Sequence, residues 1–147
     1  DAVENDDVMI GSNSSIAITT TEISEGLQVT STWSTQSDLF DLRVYDSSGS
    51  TVESSSSGAS GSESLFIDKL AFSPLENGTY TISLLAYSFN GSTSETVTFD
   101  FLDENDNTYG GPYTFVANNR PSNDRIPVFE LEVLDDVYTI TQISTSN

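Results

Sequence analysis

Apolar residues recur at every second position in one segment of this chain after another, and turn-forming clusters separate the segments. Ile16 and Ile18 alternate with Ala17 and Thr19. Leu27, Val29 and Trp33 keep the same parity through LQVTSTW. Phe40, Leu42 and Val44 do so through LFDLRVY, with Asp41 and Arg43 on the opposite side. Leu65 and Ile67 alternate in SLFID, and Tyr80, Ile82, Leu84 and Ala86 in TYTISLLAYSF. Val97, Phe99 and Phe101 alternate with Thr96, Thr98 and Asp100, and apolar segments follow at 113–117, 128–133 and 137–143. Successive side chains on a strand point to opposite faces, so a period of two means one buried and one wet face. Turn residues stand between the segments: Asp46-Ser47-Ser48-Gly49, Glu76-Asn77-Gly78, Asn90-Gly91, Tyr109-Gly110-Gly111-Pro112 and Asp135-Asp136. No window carries the i, i+3, i+4, i+7 spacing of an amphipathic helix. The expectation is an all-β chain of about nine strands forming an antiparallel β-sandwich. Its core should hold Leu27, Val29, Trp33, Phe40, Leu42, Val44, Ile67, Tyr80, Ile82, Leu84, Val97, Phe99 and Leu131.

The 147 residues suit a single domain, 1–147, with residues 1–14 as a strand free to extend from it. Acidic residues number 23 against four basic ones, for a net charge of −19, and there is no histidine or cysteine. Such a chain repels phosphate backbones and anionic headgroups, so nucleic acid is not an expected partner. No apolar run approaches the roughly 20 residues of a membrane span. Charge repulsion is screened within about 8–10 Å in salt, which fits an extracellular or cell-surface location. The start at Asp1 rather than methionine fits a processed, exported protein.

Chemistry is narrowed as sharply. Ser-His and Cys-His nucleophilic pairs cannot exist here, and zinc or copper sites lose their usual ligands. Among so many acids a carboxylate pair somewhere is inevitable and carries no information about glycoside hydrolysis. The chain is read as not an enzyme.

Serine and threonine fill 42 positions. Residues 47–64, rich in serine and interrupted by Gly49, Gly58 and Gly61, read as a turn, a short edge strand and a loop. Three Asn-x-Ser/Thr sequons, at Asn13, Asn77 and Asn90, fall in expected turns and are candidate glycosylation sites. Lys69 is the only lysine.

DLFDLRVYDSSGSTV at 38–52 and LAFSPLENGTYTISLLAY at 70–87 resemble bacterial and archaeal surface sandwiches of the immunoglobulin and fibronectin-III type. They also resemble the pre-peptidase C-terminal domain appended to secreted peptidases. In the second segment a proline and a leucine precede Asn77-Gly78, and Tyr80 opens a long strand. That placement is similar to a tyrosine corner, whose hydroxyl bonds backbone upstream. The resemblance implies an immunoglobulin-like fold and a noncatalytic module for adhesion, binding or assembly. The paired cysteines of antibody domains are absent.

The run Asp103-Glu104-Asn105-Asp106-Asn107 supplies five consecutive oxygen-bearing side chains after an apolar strand. Calcium takes six to eight oxygens at about 2.3–2.6 Å, so these five are candidate ligands for Ca²⁺. The run resembles the calcium linker of cadherins, although the other cadherin calcium motifs are not evident. A polar hairpin turn is the other reading, since Asp and Asn are favoured there. Tyr109 and Tyr113 flank the glycine-rich turn that follows. Either they contact a ligand such as a glycan, or Tyr113 packs inward at the head of its strand.

At the N-terminus, Val8 and Ile10 alternate, as do Ile16 and Ile18, with 11–15 as a hinge. These four are candidate assembly residues, able to add a strand to a neighbouring copy. Two functions remain. One is a structural subunit of an extracellular filament or surface assembly, a homo-oligomer joined by β-strand complementation. The other is a glycan-binding or adhesion module, calcium-dependent if the acidic run binds the ion.

Overall fold

The alternation is realised as ten strands among the described residues, with no helix. A computed structural model describes residues 15–19, 26–55, 61–68, 75–120, 125–135 and 137–147. The strands are β1 (Ser15–Thr19), β2 (Gly26–Thr32), β3 (Asp38–Tyr45), β4 (Thr51–Ser54), β5 (Ser62–Asp68), β6 (Gly78–Phe89), β7 (Ser94–Leu102), β8 (Tyr113–Asn118), β9 (Arg125–Leu134) and β10 (Val137–Gln142). They form a six-stranded sheet in the order β1-β10-β9-β6-β3-β4 and a four-stranded sheet in the order β5-β2-β7-β8. Every neighbouring pair is antiparallel. Only β3–β4, β7–β8 and β9–β10 are sequence-adjacent pairs within one sheet. The remaining connections cross between the sheets, so each sheet is built from distant parts of the chain.

All the residues expected in the core are buried. The two inner faces meet through aromatic rings. Phe129 on β9 receives Phe99 at 5.1 Å, Phe101 at 5.1 Å and Tyr113 at 5.4 Å, all edge to face. Trp33 packs on Phe40 at 5.0 Å at another point of the interior. Edge-to-face pairing suits the ring quadrupole and adds about 0.5–1.5 kcal/mol per pair beyond burial.

Strict alternation fails at one informative place. Val128 and Phe129 are consecutive, yet both are buried. A register shift between β6 and β9 at Ile82/Ser83 turns both inward. Such a bulge re-aims a side chain at the cost of one ladder position. Here it delivers Phe129 to the aromatic cluster.

Candidate functional site

The acidic run lies where β7 ends. Asp103 is 5% exposed, and its carboxylate faces its own loop. Oδ1 accepts from the backbone N–H of Asn105 at 2.8 Å and of Asn107 at 2.9 Å. Oδ2 accepts from Asn107 Nδ2 at 3.0 Å and from the Tyr109 hydroxyl at 3.2 Å. The Asn107 side-chain amide, followed by the backbone N–H groups of Asn107 and Asn105 and by the Tyr109 hydroxyl, holds this carboxyl below the ordinary carboxylate range, against the opposing effect of burial. Asp106 adopts φ 64°, a left-handed conformation that Asp tolerates better than most residues. Glu104, Asn105, Asp106 and Asn107 are exposed. Among the described residues, no group of three or more Asp, Glu, His or Cys side chains converges as a metal cage. The structure thus assembles the run around Asp103 as an internally bonded turn.

Both candidate tyrosines are partly buried. The Tyr109 hydroxyl serves Asp103. The Tyr113 ring packs on Phe101 at 5.7 Å and on Phe129, and burial pushes its hydroxyl pKa up. Tyr113 therefore heads its strand facing inward, the second of the two readings made from sequence.

Of the sequons, Asn13 lies outside the described residues. Asn77 is exposed and bonded reciprocally to the β9–β10 turn: its Nδ2 donates to Asp135 Oδ1 at 3.1 Å and its Oδ1 accepts from Asp135 N at 3.0 Å. Asn90 is exposed, and the next two residues close on a buried acid. Asp38 Oδ1 accepts from Gly91 N at 2.8 Å, and Asp38 Oδ2 accepts from the Ser92 hydroxyl. A Cβ at Gly91 would meet Ser37 Oγ at 2.2 Å and Thr35 Cγ2 at 2.4 Å, so a larger residue there would have to displace those two side chains.

Asp38 belongs to a set of buried acids that composition obscures. Asp38, Glu63 and Glu95 are 0%, 2% and 5% exposed. Each continues the inward parity of its strand: Asp38 with Phe40, Glu63 with Leu65, Glu95 with Val97. Glu95 Oε1 accepts from Thr35 N at 2.8 Å, and Ser34 Oγ donates to Oε2 at 3.5 Å. Asp38 and Glu95 thereby tie the β2–β3 loop to the β6–β7 loop. The only sequence signal for these roles was parity.

The sheet edges differ in a way that bears on assembly. The β4 strand has four residues and meets β3 across a bulge at Val44/Tyr45. β5 carries Glu63 pointing inward. The edge of β8 is covered by residues 145–147 of the same chain: Val116 N donates to Thr145 O at 2.9 Å, and Val116 bridges Ser146 in parallel. Asn118 N donates to Asn147 Oδ1 at 2.7 Å, Asn147 Nδ2 returns a bond to Asn118 O at 2.9 Å, and Gln142 Nε2 reaches Thr114 O at 2.8 Å. Short strands, bulges, inward charges and covering segments are the ordinary protections of an edge. Among the described residues, β1 has no covering segment, no bulge and no charge: its sequence is SIAIT, and it pairs only with β10, from Ser15↔Thr141 to Thr19↔Val137. Ile16 and Ile18 thus occupy register positions opposite Ile140 and Tyr138 of their own sheet. Val8 and Ile10 lie outside the described residues.

The fold is a two-sheet antiparallel all-β architecture. No protein-family model, curated protein or solved structure matches this chain. No helix among the described residues is long and apolar enough to cross a membrane.

Proposed function

We propose that the protein is a noncatalytic structural subunit of an extracellular or cell-surface assembly, an immunoglobulin-like module whose copies join by strand addition at β1. The observation that carries this reading is the contrast among the edges: β1 alone, among the described residues, has neither a covering segment nor a protective charge or bulge. An added strand would satisfy its outward N–H and C=O groups. Residues 1–14 of a second copy are the proposed donor, with Val8 and Ile10 as the apolar contacts. The hydrogen bond from Tyr80 to backbone four residues upstream supports the immunoglobulin-like reading.

Net charge sets the condition for assembly. Copies at −19 repel one another, and salt screens that repulsion. Filaments or ordered aggregates should appear in molar salt by electron microscopy and disperse in low salt. Deleting residues 1–11 removes the donor and leaves β1 in place, so the truncated protein should stay monomeric. Polymerisation of the truncated protein as well as the full chain would overturn the proposal, as would a full chain that stays monodisperse in molar salt.

A further inference from the structure

The outward face of the smaller sheet is unlike the rest of this acidic molecule. Its register places residues of neighbouring strands in rows. Ser62, Thr32, Thr98 and Thr114 form one row across β5, β2, β7 and β8. Ser64, Thr30 and Asp100 form the next, and Phe66, Gln28 and Leu102 a third. On the other side stand the pairs Thr96–Val116 and Ser94–Asn118. Asp100 is the single charge in these five rows, and Asp68 stands in register with Gly26 in the row beyond Phe66. The larger sheet, by contrast, presents exposed Arg125, Glu130 and Glu132 on its outer side.

Strands lie about 4.8 Å apart, so the four-hydroxyl row spans about 14 Å. Thr32 and Thr98 also line a shallow depression of about 340 Å³ with Trp33, Ser34 and Thr96. That is within the size range of small-ligand sites, which run from roughly 300 to 1,000 Å³. None of its lining residues is charged. Phe66, at one margin of the face, is 43% exposed, and its ring lies over Gly26, where a Cβ would meet it at 2.5 Å. The margin therefore offers a fixed aromatic surface.

We infer that this face binds a neutral, hydroxyl-rich polysaccharide laid across the strands, with the depression at Thr32, Thr96 and Thr98 seating one sugar unit. The argument is charge complementarity. A chain of net charge −19 that keeps one broad face nearly free of charge suits a ligand with no charge of its own. Threonine presents a methyl and a hydroxyl together, as a sugar ring presents C–H faces and hydroxyl edges. Binding without ion pairs is insensitive to salt. The residues involved are remote in sequence from the proposed donor strand, so this inference stands or falls separately from strand addition.

The test is affinity electrophoresis of the full chain in gels containing hydroxyethyl cellulose, laminarin or galactomannan, with polygalacturonate as the charged comparison. The wild-type protein should be retarded by at least one neutral polymer, equally at low and high salt, and not by polygalacturonate. Thr98→Glu should abolish the retardation. Thr96→Glu, at a more exposed position, should do the same and guards against a folding defect at Thr98. Glu132→Gln on the larger sheet, and deletion of residues 1–11, should leave retardation unchanged. The inference is overturned if the wild type migrates freely in all three neutral polymers, or if both Glu variants, melting as the wild type does, are still retarded. Loss of self-assembly with unchanged polymer binding in those variants would instead assign the face to a second copy.

Discussion

The Tyr80 hydroxyl donates to the backbone carbonyl of Glu76 at 2.6 Å, pinning the start of β6 to the segment that leads into it. β6 pairs with β3 on one side and β9 on the other, so this bond sits at the head of an interior strand of the larger sheet. Tyr80→Phe keeps the ring and removes the donor. It should lower stability by about 1–2 kcal/mol, the usual effect of deleting a part-buried hydrogen bond. Denaturant melts of the two proteins would measure it. Burial, then the nearby Glu76 and Asp46 carboxylates, push the Tyr80 hydroxyl above its ordinary value of 10.0. Stability from this group is therefore complete below about pH 10 and is lost as pH rises through the folded value. The difference between wild type and Tyr80→Phe should shrink in strong alkali.

Asp103 should behave as the lock of its loop. Asp103→Ala removes the carboxylate that accepts from two backbone N–H groups, the Asn107 amide and the Tyr109 hydroxyl, and should lower Tm. Because the folded carboxyl titrates below its ordinary range, its contribution is present above the unfolded value of about 3.9 and is lost as pH falls through the folded value. Wild type and Asp103→Ala should thus converge in acid. With that carboxylate occupied internally, EDTA or added calcium should leave Tm unchanged at low salt. A calcium-dependent rise that disappears in Asn105→Ala/Asp106→Ala would instead establish a cation site on the exposed side of the run.

Asp38 is buried between two loops, and its carboxylate accepts from the Gly91 N–H and the Ser92 hydroxyl. Asp38→Ala should cost about 1–3 kcal/mol for each buried donor it orphans. Gly91→Ala, which adds only a methyl, should also destabilise, because Ser37 and Thr35 occupy the space. Amide exchange at Gly91 should accelerate in Asp38→Ala before the core strands are affected.

Burial raises the pKa of Asp41, and the Glu63 carboxyl, hydrogen-bonded to it, raises it further against the opposing Arg43. A carboxyl raised on folding favours the native state only below its unfolded pKa, and that benefit is lost as pH rises through the folded value. Asp41→Asn removes the charge that the site resists. It should raise Tm at neutral pH and lose the advantage in acid, which a set of thermal melts across pH would show.

The strands, the core and the Tyr80 bond to backbone upstream were legible because each rests on local pattern: parity for the strands, and a proline, leucine and Asn-Gly before a tyrosine for the bond. Phe129 was not separable from Val128 by alternation, since the bulge that buries both depends on β6, a strand distant in sequence. Asp38, Glu63 and Glu95 stood at inward parity, yet their charge reads as surface until the loops that satisfy them are seen. The run at 103–107 was visible as an oxygen-rich turn, whereas the direction of the Asp103 carboxylate depends on how the loop closes. Protection of β8 and the place of β1 at the end of the strand order among the described residues were invisible, because which strand forms an edge is decided by pairing across the whole chain.

That pairing carries a consequence for timing. Ser15 meets Thr141, so β1 can dock only after β10 has been made and has folded back on β9. Closing so long a loop comes late in folding, after the contacts that bring its ends together. A chain still emerging during synthesis has no β1 edge to present, and one whose C-terminal hairpin has frayed loses it again. The acceptor proposed for assembly would then exist only on molecules in which β10 has folded back on β9, and polymerisation would itself act as a check on that step.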